Sequence, residues 1–163
     1  MRNSKGVAMR AILDEQNVIK ANEQFWEQML AMKLETISDS EHLSACSKHM
    51  RGSVGIKGAW EGYIEVRMEC GLAYEAAAAM MMQPVETVAE LDVADALKEI
   101  ANMIGGILKS ALPRPTSMNV PEFAMEAEGF SIPCGAGEGC LAVAFQHVSG
   151  AMMVRVVELT EDL

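Results

Sequence analysis

Residues 92 to 112, DVADALKEIANMIGGILKSAL, carry two stripes at helical spacing, and a chain holding such a segment has few ways to fold. Leu97, Ile100, Ala101, Ile104 and Leu108 recur at intervals of three and four, giving a helix one apolar face that has to be buried. Asp92 is placed to cap the start, and the PRP run at 113 to 115 forbids continuation beyond about Leu112. On the other side Asp95, Glu99, Asn102 and Gly106 follow intervals of four, three and four, a second stripe that is polar and exposed. A helix so divided needs a layer beneath it.

The flanking sequence supplies that layer. MRGSVGIKGAWEGYIEVRMEC (50 to 70) predicts two strands joined by a glycine-containing turn, with Tyr63, Glu65, Arg67 and Glu69 alternating against Ile64, Val66 and Met68. LAYEAAAAMMMQ (72 to 83) predicts a helix ended by Pro84. DEQNVIKANEQFWEQMLAMKLE (14 to 35) predicts another, with Val18, Ile19, Phe25, Met29 and Met32 on its apolar side and Asp14 and Glu15 in the first turn. A polar connector follows at 38 to 41. Beyond the PRP run, PEFAMEAEGFSIPC, CLAVAFQHV and AMMVRVVEL are strand-like, the last two joined by a Ser-Gly turn at 149 and 150. Helix, strands, two helices, strands is the pattern of an α+β domain with helices on a largely antiparallel sheet. At 163 residues the chain is sized for one such domain, residues 1–163, with a flexible start over 1–12.

Composition narrows the function classes. A formal net charge of -10 repels phosphate backbones and anionic lipid, so neither nucleic acid nor a membrane surface is expected as partner. The longest plain apolar run, Ala76 to Met82, is far too short to span a bilayer, and the first twelve residues lack the apolar segment of a secretory signal. The expected compartment is the cytoplasm. Cys46, Cys70, Cys134 and Cys140 are accordingly read as reduced, mostly buried thiols.

Most candidate chemistry gives way to a plainer reading. CGAGEGC (134 to 140) has neither the Lys-Ser or Lys-Thr pair nor the following helix of a phosphate loop, and reads as a hairpin loop. His42, Cys46 and His49 have metal-like spacing only if helical, sit among serines and lack a fourth ligand, so no metal is expected. Fourteen methionines suit an irregular core better than a binding groove. Helix 92–112 resists the plain reading. Gly105 and Gly106 each cost about 1 kcal/mol relative to alanine inside a helix, and Asn102 competes with helix hydrogen bonding. A purely solvated face is better served by Glu, Lys or Gln. The glycines admit a close backbone, either this protein's own sheet or a partner, and the residues alone leave both open.

Asp95-x-x-x-Glu99-x-x-Asn102, followed by Met103-Ile104-Gly105-Gly106, resembles the signature of the CheC/CheX/FliY chemotaxis phosphatases: Asp or Ser, then ExxN, then a downstream proline, here Pro121. GIKGAWEGYIEVRM resembles that family's glycine-turn strand pair, and AYEAAAAMMM the helix after it. One ExxN site is more similar to CheX than to two-site CheC. The resemblance implies a phosphatase acting on the aspartyl phosphate of a CheY-type receiver domain. Asn102 then positions the attacking water, Glu99 pairs with the receiver's lysine, and Asp95, Gly105, Gly106 and Pro121 join the partner-binding surface. It implies no cofactor on this chain, with magnesium carried by the receiver, and a homodimer, for which the apolar runs LAVAF and MMVRVV offer a reason if either lies at a sheet edge. The alternatives are a noncatalytic CheX-like module that binds a receiver or other partner, and a small-molecule-binding domain that shares only the fold.

Overall fold

The computed structural model describes residues 13–37, 48–126 and 139–159. The expectations for the flexible start, the connector at 38–41, the later part of PEFAMEAEGFSIPC and most of the glycine loop lie outside these residues, as do His42, Cys46 and Cys134.

Three α-helices and seven strands make up most of the described fold. Helix α1 (Glu15–Glu23) runs into a π-helical turn at Gln24–Met29, and α2 spans Cys70–Met81 and α3 Glu90–Lys109. The strands are β1 (Glu35–Ile37), β2 (His49–Gly58), β3 (Gly62–Glu69), β4 (Thr116–Met118), β5 (Glu122–Glu126), β6 (Cys140–His147) and β7 (Gly150–Glu158). They pair antiparallel in the order β1-β6-β7-β3-β2, with β4 and β5 sharing the outer edge of β2. The α+β architecture expected from the sequence is the one found.

One face of the sheet is apolar throughout. Register places Val54 opposite Ile64 and Met50 opposite Met68, then Ile64 opposite Val156 and Val66 opposite Val154. All of them are buried in the core that the helices cover. The other face carries charge indoors. Glu65, 4% exposed, accepts hydrogen bonds from Arg67 Nε at 3.3 Å, Arg155 Nε at 3.0 Å and Arg51 Nη1 at 3.2 Å. Arg67 Nη1 lies 3.1 Å from His49 Nε2. A buried carboxylate is tolerable only when paired this fully.

Several boundaries differ from the sequence expectation, each for a local reason. The single helix expected over 14–35 breaks into α1, the π turn and the separate strand β1. The wider turn lets the neighbours Phe25 and Trp26 both enter the core, packed edge to face at 5.5 Å, and leaves Met29 59% exposed rather than on the apolar stripe. Ala31, at φ 52, then turns the chain away. Asp92 does not cap α3 from outside. The helix begins two residues earlier, and Asp92 Oδ2 reaches back to accept the Ala89 N–H at 3.0 Å. Cys140 is disulfide-bonded, against the expectation of reduced thiols. Size and composition show that a chain does not need a disulfide, but they say nothing of which sulfurs meet. Cys70 is free, as expected. LAVAF and MMVRVV form β6 and β7, and both lie inside the sheet, β6 flanked by β1. β1 covers only Ala144–Gln146 of β6, so the edge argument for a homodimer falls away for MMVRVV and is reduced to Leu141–Val143 in LAVAF.

Two glycines set the depth at which α3 sits. A Cβ on Gly52, in β2, would collide with the carbonyl oxygen of Leu97 and lie 3.3 Å from the Ala101 Cβ. A Cβ on Gly105, in α3, would lie 2.8 Å from a Val54 methyl. The missing side chains face each other's elements, and the helix rests on the strand nearly backbone to backbone. Gly106, one residue on, meets nothing within 4 Å. Alanine scanning with denaturant unfolding should separate the three. Gly52→Ala is expected to cost about 2–4 kcal/mol through overpacking, and Gly105→Ala a smaller net loss because helix propensity offsets part of the clash. Gly106→Ala should stabilise by about 0.4–1 kcal/mol. Equal effects at 105 and 106 would contradict this seating.

Candidate functional site

The seating of α3 decides which of its side chains are available. Val93, Leu97, Ile100, Ala101, Ile104 and Leu108 are buried against the sheet and α2. The opposite stripe faces out: Asp95, Glu99 and Gly106 are exposed and Asn102 is half-buried. Glu99 and Asn102 stand one helical turn apart on this surface, on a rigid element twenty residues long.

Their electrostatic surroundings are simple. Asp95 and Lys98 form an exposed ion pair at 3.3 Å, and such a pair is worth little to stability. It does occupy the lysine nearest in sequence to Glu99. Among the described residues the Glu99 carboxylate has no ion pair, and neither it nor the Asn102 amide has an internal hydrogen bond. A carboxylate and an amide held on a fixed helix without internal partners are free to engage something external.

The other residues singled out by sequence divide. Gly105 is buried under the helix against Val54 and so belongs to its seating, not to its exposed face. Pro121 is half-buried immediately before β5, the edge strand that lies beside α3. His49 is a buried residue of β2 with Nε2 turned to Arg67, and among the described residues no cluster of three or more His, Cys, Asp or Glu is placed to hold a metal ion. No helix among them is long and apolar enough to cross a membrane.

Residue spacing did not reveal how the exposed stripe ends. Past Gly106 it opens into a cleft of about 430 Å³ lined by Gly106, Lys109, Ser110, Arg114, Pro115 and Thr116. The PRP run signals only a helix stop, yet it folds back to form one wall. A larger groove of about 1010 Å³ lies elsewhere, between Met32, Ala78, Met82 and Val148, and includes neither Glu99 nor Asn102. Its lining also includes Lys33, Glu35, Glu75 and His147, and size alone does not make it the functional site.

A family model described as chemotaxis phosphatase CheX matches residues 50–146, which take in the glycine-seated strand, all of α3 and its exposed stripe. The chain belongs to the CheX family. Among solved structures it is similar to chemotaxis protein CheX from Vibrio vulnificus, at 18% identity and TM-score 0.69, over 89% of this chain and 95% of that one. It is similar to the CheC-like superfamily protein from Shewanella sp. PV-4, at 17% and 0.67, covering 98% and 100%. It is also similar to a chain of the CheX–CheY–BeF3–Mg complex from Borrelia burgdorferi, at 19% and 0.68, covering 89% and 97%. At these identities the likeness is one of fold. No curated protein sequence matches the chain.

Side chains without internal partners contribute little to the fold. Glu99→Gln and Asn102→Ala should each leave the unfolding free energy within about 0.5 kcal/mol of wild type, with Asn102→Ala if anything more stable through helix propensity. Chemical denaturation checks this. A loss above about 2 kcal/mol in either variant would mean that the residue is structural.

Proposed function

We propose that this chain hydrolyses the aspartyl phosphate of a CheY-type receiver domain, with the exposed stripe of α3 as both docking face and reacting face. The observation that carries the proposal is the pair Glu99 and Asn102: one turn apart, outward-facing and unpartnered, on a helix locked to the sheet by its other side, in a chain of the CheX family. The fold relative from Borrelia burgdorferi is a complex of CheX with CheY, BeF3 and magnesium. The beryllofluoride group stands in for a phosphoryl group.

The chemistry asks little of such a face. An aspartyl phosphate is an activated acyl phosphate. Water attacks phosphorus, the bond from phosphorus to the carboxylate oxygen breaks, the receiver's aspartate leaves as carboxylate, and inorganic phosphate carries away the oxygen and one proton of the water while the other proton passes to solvent. Magnesium, supplied by the receiver, offsets charge on the phosphoryl oxygens. The remaining task is to hold the water in line, and a positioned amide does this without acting as a base. Asn102 has that part, its carboxamide orienting the water. Glu99 pairs with the receiver's lysine and so aligns α3 over the acyl phosphate. Asp95, beside Glu99, and Pro121, on the flank of α3, border the docking surface, and exposed Gly106 leaves room for a close approach.

A binding module that does no chemistry needs Glu99 but not Asn102, which gives the test. Asn102→Ala should abolish acceleration of receiver dephosphorylation while keeping affinity for a beryllofluoride-activated receiver within about twofold of wild type, since it touches water and supplies little interface area. Glu99→Gln should weaken that affinity by about 2–5 kcal/mol, and Glu99→Lys by more, because like charges then meet. Titration and phosphoryl-decay assays on the same variants separate the roles. Full acceleration by Asn102→Ala would remove the water-positioning step, and unchanged affinity in both Glu99 variants would remove Glu99 from the interface.

A further inference from the structure

The stripe that carries Glu99 and Asn102 does not end at Asn102. Gly106 lies one turn further along it, and Lys109 and Ser110 another turn on. There the helix stops, and Arg114, Pro115 and Thr116 close a cleft of about 430 Å³ around its last turn. The face is therefore electrically bipolar, with Asp95 and Glu99 at one end and Lys109 and Arg114 at the other. Asn102 lies between, about 10 Å along the axis from Lys109.

Lysine in the last turn of a helix is ordinary, since it offsets the dipole. The dipole does not account for the rest of the cleft. Arg114 lies beyond the helix and is exposed, and among the described residues neither it nor Lys109 has an ion-pair partner. The Thr116 hydroxyl oxygen is buried and has no hydrogen-bond partner, although Thr116 lines the cleft. Gly106 lines the cleft, and a Cβ there would meet nothing within 4 Å, so its absence relieves no internal contact. Two cations around a cavity match a carboxylate, and they do so in a chain of net charge -10 where local positive charge is scarce.

We propose that this cleft is a second docking point for the same receiver and takes an acidic side chain from it. It rests on the receiver-phosphatase proposal and extends it. The receiver is then read at both ends of α3, a cation against Glu99 and a carboxylate against Lys109 and Arg114. Two opposite contacts on one rigid helix fix the direction in which the receiver lies. A receiver that offers its lysine but no acid at the matching distance docks more weakly, while one that has bound still presents its phosphoryl group to Asn102. The cleft thereby contributes to the choice among receivers.

The test compares wild type with Lys109→Gln/Arg114→Gln and Lys109→Glu/Arg114→Glu. It uses beryllofluoride-activated receivers for affinity and phosphorylated receivers for turnover, with Asn102→Ala in parallel. The neutral pair should weaken affinity about 10-fold and the reversed pair about 100-fold. KM should rise in step, while kcat at saturating receiver stays within twofold and Asn102→Ala shows the opposite split. The neutral pair should also flatten the salt dependence of binding. Lysine replacement of the receiver acid that the cleft engages should restore binding to the reversed pair. Unchanged affinity in the reversed pair, with its melting temperature retained, overturns the proposal and leaves phosphatase activity at Asn102 standing. Inhibition of wild type but not the variants by inorganic phosphate at constant ionic strength, with receiver affinity equal in all, also overturns it by making the cleft a free-anion site. Absence of receiver binding by wild type overturns both.

Discussion

The near-contact of two backbones, α3 on β2, governs the rest of the molecule. Gly52 lets the Leu97 carbonyl close on the strand, and Gly105 lets Val54 close on the helix. A helix held that tightly has one rotation about its axis, because any other would drive Val54 or Leu97 into the opposing chain. The rotation turns Glu99 and Asn102 outward together and fixes the line between them. Precision of this kind is what a positioning mechanism needs, since misplacing a water by an ångström can cost orders of magnitude in rate.

The charged layer on the far side of the sheet belongs to the same scheme of rigidity. Glu65 gathers Arg51, Arg67 and Arg155 from three adjacent strands, β2, β3 and β7. Hydrogen bonds across neighbouring strands resist slippage of register, and a slip of one residue would turn Val54 and Gly52 away from α3. The charged face thus keeps the apolar face in register. Such a layer is a weak source of net stability but a directional constraint on how the strands meet.

Much of this was legible in the sequence, and the limits have physical causes. The apolar stripe of α3, the β2–β3 pair and the β6–β7 hairpin were readable because helical and strand periodicities are local properties of the chain. The exposed stripe was readable from helical spacing, while Glu99 and Asn102 stood out within it only through the resemblance of ExxN to a family signature. Spacing put Gly106 on the exposed stripe but could not show that Gly105 seats the helix, since that depends on what the sheet brings within 3 Å. The π turn escaped because it alters periodicity for a single turn. Burial of Glu65 and Arg67 escaped because alternation marks two faces and does not say that the second is solvated. The cleft escaped because PRP reads as a full stop, and only the fold returns Arg114 to the helix it ended.

The positioning role proposed for Asn102 makes a simple kinetic demand. A receiver phosphorylated on its aspartate should lose phosphate faster when the chain is present in substoichiometric amount, and each molecule of the chain should turn over many receivers. The most direct measurement follows phosphoryl loss from CheY-type receivers of the same genome at a fixed magnesium concentration, with and without the chain at one-tenth the receiver concentration. Acceleration of at least one receiver, linear in the amount of chain, is the predicted result. Stoichiometric receiver binding with an unaltered decay rate would contradict catalysis and leave a module that only binds.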